Sequence, residues 1–219
     1  TLADTRCDHI LIEKPAGMPV HPSQGHYENT LANGIAWYYR NEATPFVFRA
    51  VNRLDRDTSG LVLLAKNPYS VKDHTIHREY AAIVSGKTDA SGTIDLPIAR
   101  KDGSTIERVC DPERGETAVT HYRTFAYNKD ADISFIRLLL ETGRTHQIRV
   151  HMKAIGHPLP GDFLYCPDYR FIDRQPLHST YLRFSHPVTG EKLEFSASLP
   201  EDMRKLFPDI KNPSGPVFF

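Results

Sequence analysis

Asn52-Arg53-Leu54-Asp55-Arg56-Asp57-Thr58-Ser59-Gly60 runs directly into Leu61-Val62-Leu63-Leu64-Ala65. The apolar run is too short for an ordinary helix and reads as a buried strand. Residues 47–51 upstream also read as extended, so the charged segment is a tight turn pinned between two core strands. Its carboxylates and arginines alternate, and Gly60 closes it with a conformation that other residues avoid. One reading is a turn and nothing more, with Asp57 and Ser59 bonding to nearby amides and the arginines in water. The other is chemical: a carboxylate held beside guanidinium groups stays ionised and can act as a nucleophile.

Outward from this turn, Ile10-Leu11-Ile12 is a short strand stopped by Lys14-Pro15-Ala16-Gly17-Met18-Pro19, where two prolines and a glycine force a turn. Residues 30–40 carry Leu31, Ile35 and Tyr38 or Tyr39 at helical spacing behind Thr30 as N-cap. Further strands are expected at 79–85, 118–126, 133–141, 181–185 and 192–197. A second helix is expected at 145–155, with Ile148, Met152 and Ile155 on one face and Arg149 and Lys153 on another. The stretch 88–115 reads as a hairpin and loops. Helices alternate with strands too irregularly for a doubly wound sheet, so the expected class is α+β: a mostly antiparallel mixed sheet with flanking helices, forming one domain over residues 1–219.

At 219 residues, 40% hydrophobic and 25% charged, the chain has a globular composition and needs neither metal nor disulfide to hold a core. Lys plus Arg and Asp plus Glu are both 27, so any polyanion must be met by a local cluster. The three cysteines form no C-x-x-C pair, which argues against a zinc ribbon or a secreted disulfide framework and for a reducing cytoplasm. No apolar run approaches the roughly 18 residues of a membrane helix. The first residue is Thr1 rather than Met, so a preceding segment is expected outside this chain.

A second charged motif follows the strand at 133–141. Glu141-Thr142-Gly143-Arg144-Thr145-His146-Gln147-Ile148-Arg149-Val150-His151-Met152-Lys153 leads to Gly156-His157-Pro158-Leu159-Pro160-Gly161-Asp162. Arg144 falls where a strand gives way to a helix. A guanidinium there can pair with a carboxylate from another strand end and lower its pKa by roughly 1–3 units. The plainer reading has Arg144 capping a loop, with Arg149, His151 and Lys153 on a wet helix face.

Three rival functions fit parts of this pattern. A metal site would use His146, His151 and His157, but their spacings of five and six do not align ligands on one helix face and no H-E-x-x-H occurs. A glycoside hydrolase would need a second carboxylate, with Asp57 or Asp162 available. A pure RNA-binding module is disfavoured by the neutral charge and the lack of an aromatic-basic repeat.

Taken in order, Lys14-Pro15-Ala16-Gly17, the segment Arg53 to Gly60, Arg78-Glu79-Tyr80, Gly143 to Arg149 and Gly161-Asp162 resemble the RluA-type pseudouridine synthases; Arg174-Gln175-Pro176-Leu177-His178 is similar to that family's late motif. The resemblance runs from about Ile10 to Pro200. It implies a pseudouridine synthase-like catalytic domain, an isomerase that detaches a uridine base from C1′ and rejoins it through C5 in ribosomal or transfer RNA, with no cofactor or metal. It implies Asp55 as nucleophile, attacking either C1′ or C6, Arg144 as its ion-pair partner and Tyr80 against the uracil face, with a possible part in proton transfer at C5. Since a stacked base cannot reach a buried carboxylate, the nucleotide is expected to be flipped out. Arg53 would brace the vacated position, and Lys14, Arg56 and Arg149 would contact phosphates. No membrane and no obligate protein partner are expected; an N-terminal RNA-binding domain, frequent in the family, is not in this chain. Two departures stand out. Asn52 occupies a position where the family most often has His, and residues 67–77 are shorter than the pattern by about a helix, suggesting residues missing near Lys72 to Thr75.

Overall fold

The structure, a computed structural model, describes residues 2–4, 8–41, 46–68, 76–187, 189–210 and 216–218. Along the chain the elements are β1 (Leu2–Asp4), β2 (His9–Lys14), α1 (Leu31–Tyr38), β3 (Ser59–Ala65), β4 (His77–Ser85), β5 (Ser91–Asp95), β6 (Ile98–Arg100), β7 (Arg108–Cys110), β8 (Val119–Asn128), β9 (Ile133–Leu140), α2 (Gln147–Ala154), β10 (Leu177–Ser185), β11 (Lys192–Ser196) and α3 (Glu201–Arg204). The expected helices and principal strands are all among them, within a few residues. The suspected gap near Lys72 to Thr75 falls on residues 69–75, outside the described residues. The chain sorts into two compact units, residues 1–76 with 179–197 and residues 77–178 with 198–219.

In the first unit β3 is buried at all seven positions, which is why its stretch 61–65 is continuously apolar rather than alternating. It pairs antiparallel with β2 from Lys14↔Gly60 to His9↔Ala65. On the strand order β10 follows β3, and β11 pairs with β10 as an antiparallel hairpin partner. Leu11, Leu61, Leu63, Leu182, Phe184 and Ala197 form the apolar core of this unit. Side chains two apart share a face of a strand, so Leu61 and Leu63 point the same way. Burying each such side chain contributes roughly 1.5–3 kcal/mol. Gly60 has φ of +110°. A Cβ there would lie 2.3 Å from the Ser179 carbonyl oxygen, so the backbone of β10 crosses where only glycine leaves room. Helix α1 begins at Thr30, whose hydroxyl accepts from the Asn33 N–H at 3.2 Å while the Asn33 Oδ1 accepts from the Thr30 N–H at 3.0 Å.

The second unit is a meander in the order β4-β9-β8-β5, all antiparallel. The stretch 88–115 supplies β5 as well as the two-stranded hairpin β6–β7. One apolar core of this unit joins Ala81, Ile83, Ile133 and Phe135 of the sheet to Ile172, Leu199, Met203 and Phe207. The four-residue α3, which supplies Met203, was not anticipated because so short a segment shows no period. Helix α2 departs from the expected half-wet helix: Gln147 through Met152 are all buried, Arg149 and His151 included.

Candidate active site

The charged turn is held from three directions. The Thr58 N–H donates to the Asp55 carbonyl at 3.1 Å, closing a turn around Arg56 and Asp57. Upstream, Asn52 is buried and its side-chain amide acts as a strand edge: Nδ2 donates to the Leu61 carbonyl at 3.2 Å and Oδ1 accepts from the Leu63 N–H at 2.7 Å. The Val51 N–H donates to the Leu63 carbonyl at 2.8 Å and the Ala65 N–H to that of Arg49 at 2.9 Å, so residues 49–51 run alongside β3 as expected of an extended segment. From below, the Lys14 ammonium donates to the carbonyls of Pro15 at 2.9 Å, Met18 at 2.8 Å and Arg56 at 2.9 Å. This corrects the expectation that Lys14 meets a phosphate. With 0% of its surface exposed and its charge spread over three carbonyls, it ties the Lys14–Met18 loop to the Asp55 turn. Asn52 was read from sequence only as a departure from the family; its burial next to an aspartate turn is what reveals its work.

Asp55 itself is half-buried at the head of this turn. Arg53 and Arg56 are exposed. The Arg56 guanidinium faces the Asp57 carboxylate as a fork, with Nε to Oδ1 at 3.0 Å and Nη2 to Oδ2 at 2.9 Å. The positive charge of Arg53, together with partial burial as the larger cause, holds the His21 imidazole below its ordinary pKa.

In the second unit Tyr80 is buried on β4, opposite Leu138 of β9. The neighbouring Glu79 is completely buried and pairs with the equally buried Arg137, Nη2 to Oε2 at 2.9 Å. Burial lowers the Arg137 pKa, and the Glu79 carboxylate opposes that shift. Glu79 also accepts from the Val217 and Phe218 N–H groups at 2.9–3.1 Å, so a tail segment closes over the strand that carries Tyr80. This pair was missed in the sequence; the signal was Arg137, the one charge inside the apolar run Ile133–Leu140.

Arg144 sits between β9 and α2, as expected, but the carboxylate its guanidinium meets is Glu116, not the expected Asp55. Its N–H donates to the Gln147 side-chain oxygen at 2.9 Å, its Nε to the Thr117 carbonyl at 3.0 Å, and its Nη1 to the Glu116 carboxylate. Gln147 completes the anchor by donating from Nε2 to the Val119 carbonyl and the Thr120 hydroxyl, both at 3.0 Å. Arg149, five residues on, is 2% exposed and clamps the fully buried Asp162, with Nε to Oδ2 at 2.6 Å and Nη2 to Oδ1 at 2.8 Å. Its guanidinium carbon lies 4.9 Å from the Tyr165 ring centre. The expectation of a phosphate contact is corrected here too: Arg149 fastens α2 to the Gly161-Asp162 turn. Gly161 adopts φ of +77° there, and a Cβ would come within 2.5 Å of two carbonyl oxygens.

The rival readings lose their parts. Asp162 is sealed from water under Arg149, which removes it as the second carboxylate of a glycosidase, while Asp57 is held by Arg56 at the surface. The three histidines considered as metal ligands have separate partners: His146 meets the Tyr165 hydroxyl at 2.9 Å, His151 the Thr120 hydroxyl and Leu96 carbonyl at 2.9 Å, and His157 the Ser85 carbonyl at 2.8 Å. Burial pushes His151 below its ordinary pKa, the form suited to one accepted and one donated bond. In the late motif Arg174 forks onto Asp202, with Nε at 2.7 Å and Nη2 at 2.9 Å. His178 beside it is pushed down to about 4, chiefly by burial and then by the Arg174 charge.

Comparison with known proteins agrees with the motif order. A family model described as RNA pseudouridylate synthase matches residues 8–154. The chain is 44% identical over 208 residues to the uncharacterized RNA pseudouridine synthase YjbO of Bacillus subtilis, covering 91% of this chain and 72% of that one. It is 40% identical over 228 residues to ribosomal large subunit pseudouridine synthase D of Zymomonas mobilis, covering 91% and 69%. The solved structure of human RNA pseudouridylate synthase domain containing 1 superposes with a TM-score of 0.71 at 24% identity, over 90% of this chain and 81% of that one, and so shares the fold.

Proposed function

The chain belongs to the RNA pseudouridylate synthase family, and from that premise we propose that it converts specific uridines of ribosomal RNA to pseudouridine with Asp55 as nucleophile. The choice of ribosomal RNA rests on relatives named ribosomal large subunit pseudouridine synthase D. The reaction breaks the N1–C1′ bond and forms a C5–C1′ bond; N1 gains a proton and the C5 proton passes to solvent. It consumes no second substrate and calls for no cofactor. Asp55 attacks C1′ or C6 and Tyr80 lies against the uracil; for Arg144 to keep the reacting carboxylate charged, its guanidinium must exchange Glu116 for Asp55. The target nucleotide is flipped out of its stack at a cost of a few kcal/mol, with Arg53 bracing the gap and Arg56 meeting phosphate. We place the reaction in the cytoplasm, in a single catalytic domain.

One observation carries the nucleophile assignment: the turn bearing Asp55 is fastened by Lys14, Asn52 and Thr58 while Asp55 itself is half-buried. A nucleophile held this way loses little freedom on reaching the reacting geometry. The experiment is tritium release from ribosomal RNA carrying 5-tritiated uridine. Wild type should release tritium, and Asp55→Asn should lose more than about a thousandfold in rate while binding RNA within a few-fold of wild type. Release by Asp55→Asn at a rate near wild type removes the nucleophile assignment.

A further inference from the structure

Helix α1 turns two large aromatic side chains to solvent. Only Leu31 and Ile35 are buried, while Trp37 is 65% and Tyr38 54% exposed. The Arg40 guanidinium lies over the outward indole, 3.9 Å from the Trp37 ring centre, and its Nη1 donates to the Trp37 carbonyl at 2.8 Å. Tyr38 meets Tyr39 edge-on at 5.0 Å, and Tyr39 stacks on Phe46 at 4.7 Å with the rings 13° from parallel. The helix carries no carboxylate, and among the described residues none pairs with Arg40. Two largely exposed aromatic rings, one with a guanidinium over it, are therefore presented to solvent by a helix that carries no carboxylate.

We propose that this ledge, Trp37 and Tyr38 with Arg40, stacks unpaired nucleotides of the substrate RNA flanking the reacting uridine. The proposal rests on the assignment of the chain as an RNA-modifying enzyme and extends it to a binding surface. Every base presents a π face, so stacking on aromatic side chains holds single strands without reading sequence, and an adjacent arginine adds attraction to both base and phosphate. A polyanion is the occupant favoured by exposed aromatic rings and an exposed arginine at the end of a helix that carries no carboxylate.

The ledge also belongs to the same compact unit as Asp55 and is wired to its turn. Lys14 joins the Arg56 carbonyl to that of Met18. The next carbonyls, Pro19 and Val20, accept from the N–H groups of Leu31 and Ala32 at 2.9 and 3.1 Å, opening α1. RNA seated on Trp37 is therefore held in a fixed relation to the nucleophile turn, which makes a contact far along the chain useful for placing a flipped base.

The test uses the whole chain with Trp37→Ala, Arg40→Ala and Trp37→Phe, each at an exposed position where folding should be little affected. Tritium release gives kcat and KM, and filter binding of the same ribosomal RNA fragment gives Kd across a salt series. For Trp37→Ala we expect KM and Kd to rise about 5- to 100-fold with kcat within twofold, and Trp37→Phe to recover most of the loss. Arg40→Ala should lower the slope of log Kd against log salt by about 0.7, one phosphate on a single strand. Unchanged KM and Kd in both alanine variants overturn the ledge, as does sedimentation showing a wild-type dimer that Trp37→Ala abolishes without altering RNA affinity. These failures differ from failure of the enzymatic assignment, in which wild-type protein itself releases no tritium.

Discussion

Replacing Arg149 by methionine removes one half of an ion pair in which both partners are almost wholly sealed from water, at 2% and 0% side-chain exposure. The substitution keeps much of the apolar length of the side chain but leaves the Asp162 carboxylate buried with no cation. Leaving such a charge costs about 3–5 kcal/mol. For a chain of this size each kcal/mol moves the midpoint of melting by roughly 2–4 °C, so the expected fall is roughly 6–20 °C. Asp162→Asn should cost less, because an amide oxygen can still accept from the Leu164 and Tyr165 N–H groups that Oδ1 now holds at 3.0 and 3.2 Å. The double variant should lose less than the sum of the singles by about 1–3 kcal/mol. Calorimetry supplies the stabilities, and RNA titrations at low temperature, where every variant is folded, supply the salt slopes. A purely structural clamp leaves the slope of log Kd against log salt at its wild-type value. If Arg149→Met melts with wild type while that slope drops by about 0.7–0.9, Arg149 is a phosphate contact after all and the burial argument fails.

Gly60→Ala should destabilise by roughly 2–6 kcal/mol, adding about 1–3 for a side chain at φ of +110° to about 1–3 for overlap with the Ser179 backbone; a loss under about 1 kcal/mol in urea unfolding would show that β10 yields freely. His178 takes up a proton near pH 6.5 in the unfolded chain but only near pH 4 in the folded one. The unfolding free energy should therefore fall as pH drops from 6.5 to 4, by at most about 3 kcal/mol, with no contribution from this residue to the slope outside that window. His178→Gln should flatten this part of the curve, and an unaltered curve would count against a buried neutral imidazole.

Much of this protein could be read without coordinates because its information is local. Strand β3 is legible as an apolar run of strand length, α1 as a helical period behind a capping threonine, and Gly60 as punctuation before a strand, since each depends on residues a few places apart. The order of the motifs around Asp55, Tyr80 and Arg144 is likewise a property of the string, and it led to the right family. What the string does not record is how much water each side chain keeps. Lys14 and Arg149 look in sequence like any other cation offered to a phosphate. Their hydrogen-bond partners lie 42 residues away at the Arg56 carbonyl and 13 away at Asp162, and only chain folding brings these close. Asn52 works as a piece of strand edge because β3 runs beside it, and Glu79 is lined by amides from the far end of the chain. Charge and periodicity are written residue by residue, whereas solvation and hydrogen-bond partners are set by segments distant in sequence; tertiary packing alone decided which of the basic residues are fasteners and which still face solvent.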